Sequence, residues 1–225
     1  MRVKAMAAIN NNKGFTIVEL LIVMGMSLIV MGGIYQVYYS QQKAYVLQDQ
    51  TSAMQQNLRA AIYLMTRNIR MAGYSTAGAT AGLTAAAPNS IAFTMDLNGN
   101  GTTTDPNENV TYLLYDAYGD GDNDLSMDSG SGNSPLAENM DVLNFVYLDG
   151  NGTILDDDGN GNVIASIPSI RSIQVTLLAR VNKPDMNYNN NRVYINQQNQ
   201  QIYTANDNYR RRLLTREIQC RNLGL

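Results

Sequence analysis

The sequence predicts an α+β fold, in which one long N-terminal helix packs on an antiparallel β-sheet head. Two features carry this prediction. An apolar run near the N-terminus continues into a segment whose apolar residues recur at helical spacing. After Ala72 the pattern changes to short segments rich in β-branched and aromatic residues, with Gly, Asn and Asp between them. The 225 residues are enough for one domain with its own core besides the helix.

The first part of the helix, residues 15–41, is long and apolar enough to span a membrane. Its only charged residue is Glu19, and a carboxylate within a span costs about 3 kcal/mol. Arg2, Lys4 and Lys13 precede the run without any acidic residue, which places the N-terminus in the cytoplasm. Glu19 therefore needs a partner, unless the run is a plain signal anchor that carries a stray acid.

Residues 42–73 are predicted to continue the same helix as an amphipathic segment. The apolar face consists of Leu47, Met54, Leu58, Ile62, Met65 and Ile69. Arg67, Arg70 and then Gly73 are typical of a helix C-terminus. We expect this face to lie on a globular head that comprises residues 74–225.

The head is predicted to contain one antiparallel sheet. Its strand candidates are residues 90–96, 110–115, 142–148, 172–181 and 213–220, which are rich in Val, Ile, Leu, Thr, Tyr and Phe. The small-residue segment 75–87 is expected to be a connector. Residues 187–208, rich in Asn, Gln and Tyr, are expected to form an exposed loop or hairpin.

The composition argues against an enzyme. The sequence has no histidine, which removes the commonest general base and transition-metal ligand. We find no nucleophile motif, no phosphate-binding loop and no zinc-ligand spacing. Cys220 is the only cysteine, so no internal disulfide can form.

The acidic residues are concentrated in the head. Residues 72–169 contain 14 Asp and Glu but no Lys or Arg. Such a segment repels itself unless a cation or a distant basic residue neutralises it. The basic residues of the head follow later in the chain, and they include the cluster Arg210, Arg211 and Arg212. We expect this cluster to pair with the acidic loops or with a neighbouring subunit.

Three loops in this acidic segment have the alternating oxygen-bearing residues that calcium prefers. The candidate ligands are Asp96, Asn98, Asn100, Asp105 and Glu108 in the first loop, Asp120, Asp122 and Asp124 in the second, and Asp156, Asp158 and Asn160 in the third. The first loop fits an EF-hand-like pattern except that its closing acid, Glu108, comes one place late. The alternative for each loop is a solvated turn without any metal. Calcium is the one cofactor that the sequence suggests.

The start of the apolar run carries a specific motif, Lys13-Gly14-Phe15-Thr16-Ile17-Val18-Glu19-Leu20. It resembles the processing site of type IV prepilins and of type II secretion pseudopilins. The resemblance implies the type IV pilin fold, with cleavage between Gly14 and Phe15 by a prepilin peptidase. It also implies N-methylation of Phe15 and, in the assembled filament, contact between Glu19 and a Phe15 amine. Cleavage would create the cation that a buried carboxylate requires.

Later segments narrow the resemblance. Residues 64–74, which include the predicted helix end, resemble PilW-like minor pilins and J-type minor pseudopilins. The resemblance to the PilW-like family extends to residues 93–101 and 108–112, around the first acidic loop, and to residues 210–223. Many major pilins close a C-terminal loop with a disulfide, and this chain departs from that pattern because it has one cysteine.

The resemblance implies a minor pilin of a type IV pilus that helps to start assembly or forms part of the tip complex. It would contribute to adhesion, twitching motility or DNA uptake. The implied partners are prepilin peptidase, the inner-membrane assembly platform, and other major and minor pilins. The precursor would lie in the bacterial inner membrane, and the mature protein in a pilus at the cell surface. Nucleic acid is not an expected partner.

Two alternatives fit the same residues. The first is a minor pseudopilin of type II secretion, which would have the same fold in a different machine. The second is a protein of another class, a calcium-dependent adhesin held in the membrane by a signal anchor.

Overall fold

The computed structural model describes residues 14–223. The basic residues of the predicted leader, Arg2, Lys4 and Lys13, lie outside this range. The chain divides into two compact units, Met1–Leu47 and Gln48–Leu225. Within the described residues there are one α-helix, α1 (Ile17–Met71), eleven strands and a single 3-10 turn, Ile167–Ser169.

In the first unit, the apolar side chains of helix α1 are exposed. Ile17, Leu28 and Ile29 are each more than 70% exposed, and no part of the most apolar stretch is buried. By length and composition this stretch could cross a membrane. The unit therefore has the properties expected of a helix whose surroundings are lipid or other subunits.

The second unit contains two main antiparallel sheets and a small one. The first sheet has the order β1-β2-β3-β4-β5, from strands β1 (Leu83–Ala87), β2 (Ser90–Thr94), β3 (Asn109–Tyr115), β4 (Asp124–Asp128) and β5 (Asn133–Ala137). The second has the order β11-β8-β6-β7, from β6 (Met140–Leu148), β7 (Ile154–Leu155), β8 (Ser172–Arg180) and β11 (Arg211–Gln219). The third is a pair formed by β9 (Val193–Ile195) and β10 (Gln201–Thr204).

The predicted α+β architecture, a long helix packed on antiparallel sheet structure, is confirmed. The buried face of α1 consists of Met54, Leu58, Ala61, Met65 and Ile69, four of which belong to the predicted apolar face. These side chains share one core with strands of both main sheets. Because this face repeats at helical spacing, burial of the stripe fixes which side of the helix meets the head.

The prediction of a single sheet is wrong. All five predicted strands form, as β2, β3, β6, β8 and β11, but they are divided between the two main sheets. Strand β1 lies in the segment taken for a connector, and it was missed because Leu-Thr-Ala-Ala-Ala has little β propensity. The segment 187–208 includes the β9–β10 hairpin, and its Asn190 and Asn196 are buried.

Two buried tyrosines connect the layers of the second unit. Tyr112 of β3 accepts a hydrogen bond from Asn68 Nδ2 of the helix at 2.8 Å, and burial raises the pKa of Tyr112 to about 12. Tyr147 of β6 donates to the carbonyl oxygen of Ala87, in the other main sheet, at 2.8 Å. The head is thus held together by specific polar contacts as well as by apolar packing.

Candidate functional site

The N-terminal site begins just before helix α1. Gly14, Phe15 and Thr16 precede the helix, and the Phe15 side chain is 90% exposed. Glu19 lies in the first helical turn, next to the peptide bond at which a prepilin peptidase would cut. The expected processing and assembly residues therefore lie within about one turn of each other.

Glu19 already has partners within its own chain. Its Oε2 atom accepts hydrogen bonds from the Thr16 backbone N–H at 2.9 Å and from the Thr16 hydroxyl at 3.0 Å. The Glu19 N–H donates back to Thr16 Oγ1 at 3.2 Å. This reciprocal pair is a capping box, which satisfies backbone donors that a helix start leaves without partners.

Sequence reasoning missed Thr16, although a signal for it was present. A Thr followed three residues later by a Glu, just before an apolar run, is the signature of a capping box. The sequence motif predicts that Glu19 meets a cation. The structure adds that Glu19 also holds the start of its own helix.

The first acidic loop has two buried carboxylates, Asp96 and Glu108, each no more than 1% exposed. Asp96 Oδ1 accepts from the Gly99 N–H at 2.7 Å, and Asp96 Oδ2 accepts from the Gly101 N–H at 3.2 Å. Glu108 Oε1 accepts from the Leu97 N–H at 2.8 Å. Both carboxylates therefore bind the backbone of the same turn.

The other candidates of the first loop gather at its exposed side. Asp105 Oδ2 accepts hydrogen bonds from Asn100 Nδ2 at 2.7 Å and from Asn98 Nδ2 at 3.0 Å. The bond from Asn98 is the main reason that the pKa of Asp105 is lowered, with the bond from Asn100 second. Hydrogen bonds thus join four of the predicted residues, Asn98, Asn100, Asp105 and Glu108, and Asp96 binds the backbone of the same turn.

In the second acidic loop, two of the three predicted ligands have other partners. Asp122 pairs with Arg180 of β8, with Oδ2 and the guanidinium nitrogen 2.9 Å apart. Asp124 is buried at the start of β4 and accepts from the N–H groups of Ala117 and Asn139. Asp120 is exposed and accepts the Asp122 N–H at 3.3 Å. Asp122 thus forms an ion pair, and Asp124 accepts backbone hydrogen bonds at the start of β4.

The third acidic loop is exposed and closed by its own hydrogen bonds. Asp156 Oδ1 accepts from the Gly161 N–H at 2.9 Å, and Asp158 Oδ1 accepts from the Asn160 N–H at 2.9 Å. A bond from Asn162 is the first cause of a pKa of about 2 for Asp158. Across residues 14–223, no three His, Cys, Asp or Glu side chains are grouped so that they alone could hold a metal.

The basic cluster near the C-terminus is largely committed to pairs within the head. The Arg211 side chain is fully buried and contacts Asp141 at 2.5 Å and Asp207 at 2.6 Å. Its hydrogen bonds lower the pKa of Asp207. Arg210 pairs with Asp185 at 2.7 Å, whereas Arg212 is exposed.

A groove of about 1280 Å³ lies in the second unit, between the helix, the first sheet and strand β11. Five arginines line it, and none of the described lining residues is acidic: Arg59, Arg67, Arg70, Arg216 and Arg221. None of the five forms an ion pair within residues 14–223. Apolar side chains such as Met71, Val110 and Leu214 also line it. Its charge is opposite to that of the acidic loops.

Two family models match the sequence. The prokaryotic N-terminal methylation motif matches residues 9–35, a range that includes Gly14, Phe15 and Glu19. The family described as prepilin peptidase-dependent protein B matches residues 47–194, which is more than half of the chain. The chain belongs to this family. It is therefore a prepilin peptidase-dependent, type IV pilin-like protein, as the sequence predicted.

A solved structure is also similar to this chain. A type IV-like pilin from Thermus thermophilus matches 76% of this chain and 97% of its own length, with 17% identity and a TM-score of 0.49. No curated protein matches the sequence. Membership of the family suggests a structural rather than a catalytic protein, with processing by the peptidase and association with pilus components.

Proposed function

We propose that this pilin-like chain is a minor pilin of a type IV pilus, which takes part in starting assembly and in the tip complex. The observation that carries the role in assembly is the position of Glu19. It is the only charged residue between Phe15 and Gln42, and it lies one helical turn from the Gly14–Phe15 bond. A carboxylate within a membrane span is costly, and the helix cap that Glu19 forms does not require its negative charge.

The proposed mechanism is binding between subunits. Cleavage after Gly14 converts the Phe15 nitrogen from an amide to an amine, which carries a positive charge. In the filament, Glu19 of one subunit would meet such an amine of a neighbour. A buried carboxylate is costly without a cation, so this pairing favours transfer of the helix from the bilayer into the filament. The exposed apolar side chains of the first unit would then pack against neighbouring helices.

The head would bind partner subunits through the arginine groove. We propose that its occupant is an acidic segment of another pilin, because five arginines line it without a carboxylate among the described lining residues. Arginine suits this purpose since its planar guanidinium binds carboxylates with two hydrogen bonds. Adhesion, twitching motility or DNA uptake would follow from the presence of the assembled pilus.

The role as a minor pilin is tested by deleting the gene in a piliated cell and counting surface filaments. We expect far fewer filaments after the deletion, and we expect this chain in sheared pili at a small fraction of the major subunit. Charge reversal at two groove positions, Arg67→Glu with Arg70→Glu, should leave processing intact and reduce coprecipitation with other minor pilins. The matched control is Arg212→Glu, which changes an exposed arginine outside the groove.

A normal filament count together with loss of secretion of folded proteins would contradict the proposal. It would instead support the pseudopilin alternative. An unchanged protein size in cells without prepilin peptidase would favour the adhesin alternative.

A further inference from the structure

We infer that the first acidic loop, residues 96–108, binds one calcium ion, with Asp96 and Glu108 as its two buried carboxylate ligands. The first observation is the negative charge of these two side chains. Both side chains are almost completely removed from solvent. Neither forms an ion pair with any Lys or Arg in the described part of the chain. Buried carboxylates without a cation are strongly unfavourable. Two of them that bind the backbone of the same turn therefore require an explanation.

One buried side-chain oxygen in this loop has no hydrogen-bond donor within residues 14–223. Glu108 Oε1 is engaged by the N–H groups of Leu97 and Asn98, at 2.8 and 3.2 Å, which directs the carboxyl group at the start of the loop. Its second oxygen, Oε2, is buried without any partner. A buried carboxylate oxygen normally has a hydrogen-bond donor. One without a donor is expected where the oxygen binds a metal ion.

The backbone explains how Glu108 can close the loop although it comes one place late in the EF-hand-like pattern. Asn107, at the expected closing position, has a φ of 70°, in the left-handed region. This turn is followed by Glu108, whose side chain reaches back to the N–H groups of Leu97 and Asn98. The left-handed turn at Asn107 thus accommodates the extra residue, and the Glu108 carboxylate still reaches the first turn of the loop.

Other oxygen-bearing side chains lie in the same arrangement. Asn98, Asn100 and Thr102 all donate to Asp105 Oδ2, at 3.0, 2.7 and 3.3 Å. The Asn98 amide oxygen accepts the Asn100 N–H at 2.9 Å and retains a second lone pair that is free to bind a cation. Calcium accepts six to eight oxygens from carboxylates, amides, backbone carbonyls and water, and it tolerates irregular geometry. Two carboxylates with amide and carbonyl oxygens are therefore sufficient without a third acid.

The second and third loops lack this combination of burial and an unpartnered carboxylate oxygen. In the second, Arg180 already compensates Asp122, and both oxygens of the buried Asp124 accept backbone N–H groups. In the third, Asp156 and Asp158 are exposed, so solvent can screen their charge. The ligand set is entirely oxygen, which favours calcium over zinc, and its irregular geometry disfavours magnesium.

The test uses the full-length chain in detergent, stripped with EDTA, dialysed and then titrated with calcium chloride by calorimetry. We expect one calcium ion per chain and a higher melting temperature in calcium than in an equal concentration of magnesium. Glu108→Gln should weaken binding by more than about tenfold. The control Asp158→Asn removes a similar charge from the third loop and should leave the dissociation constant within about twofold.

A second measurement separates metal binding from a purely structural role of Glu108. A Gln side chain can still accept the hydrogen bonds from Leu97 and Asn98, but it removes the buried charge. In EDTA we expect Glu108→Gln to melt at the temperature of the unchanged protein or above it. In calcium the order should reverse, because only the unchanged protein gains the ion.

Three results would overturn the inference. One is the absence of both binding heat and a melting shift at millimolar calcium. Another is an equal effect of Glu108→Gln on melting with and without calcium, which would make Glu108 a structural acceptor only. The third is loss of binding in Asp158→Asn and not in Glu108→Gln, which would place the ion in the third loop.

Discussion

Thr16 and Glu19 hold each other at the start of helix α1. The Glu19 carboxylate accepts the Thr16 N–H at 2.9 Å, and the Thr16 hydroxyl accepts the Glu19 N–H at 3.2 Å. Glu19 therefore has a local hydrogen-bonding role before any filament exists. The proposed role in assembly requires something more, which is its negative charge.

The two roles of Glu19 can be separated by two substitutions. Glu19→Gln keeps a capping acceptor, since Gln also occurs in capping boxes, but it removes the charge. Thr16→Val removes the hydroxyl and keeps the charge, at a cost of about 1 kcal/mol in the stability of the helix start. We expect Glu19→Gln to be inserted and cleaved but largely absent from sheared filaments, and Thr16→Val to be incorporated. The opposite pattern would mean that Glu19 acts only as a cap.

Gly73 marks the point at which the chain leaves the helix and turns to the head. Its φ is 79°, and an added Cβ would lie 2.9 Å from the carbonyl oxygen of Asn222. Gly73→Ala should therefore add an overpacking cost of about 1–3 kcal/mol to the backbone strain. Gly78 is a matched control, since its φ is 77° and nothing lies within 4 Å of its added Cβ. Gly78→Ala should lose only about 1 kcal/mol in denaturant unfolding of the full chain. Equal losses of stability in the two variants would show that residues 222–223 move aside to accommodate the methyl group that Gly73→Ala adds.

Arg211 and its neighbour in sequence should respond very differently to truncation. Removal of the buried Arg211 side chain leaves Asp141 and Asp207 without their closest cation. We expect Arg211→Ala to lower the free energy of unfolding by about 3–5 kcal/mol. The exposed Arg212 gives the control, and Arg212→Ala should change stability by no more than about 0.5 kcal/mol. If Arg211→Ala lowers the free energy of unfolding by less than about 0.5 kcal/mol, the ion pairs of Arg211 with Asp141 and Asp207 do not stabilise the fold.

The pKa of Asp157 should depend on Ser166. Asp157 accepts hydrogen bonds from the Ser166 hydroxyl and N–H and from the Ile164 N–H, which lower its pKa to about 2. Because this folded-state pKa lies below the ordinary value of about 3.9, the bonds stabilise the fold above pH 4. That contribution is lost as the pH falls from about 4 to about 2. Ser166→Ala should raise the pKa of Asp157, as measured by NMR titration, and flatten this part of the stability profile. An unchanged titration would show that the Ser166 hydroxyl is not the cause.

The sequence predicts the elements whose signal is local. The apolar stripe that contains Leu58 and Met65 is visible because burial and helical spacing coincide. Strands such as β8 are visible because they are rich in β-branched residues. Strand β4, Asp-Leu-Ser-Met-Asp, carries no such signal, because its pairing with β3 and β5 is a tertiary effect.

The same limit applies to the sites. Gly14, Phe15 and Glu19 are adjacent in sequence, so their motif could be recognised without a structure. Asp122 is neutralised by a residue 58 positions away, and no spacing rule reveals such a pair. Glu108 appeared to be one place late, since the left-handed turn at Asn107 is not a feature of spacing.

The most direct test of the central claim is the intact mass of the protein from cells with and without prepilin peptidase. With the peptidase, we expect loss of residues 1–14 and the addition of one methyl group at the new N-terminus, Phe15. Without it, the full mass should remain. A mass that does not depend on the peptidase, or cleavage at another bond, would contradict the assignment of Phe15 and Glu19 as the pair that joins subunits.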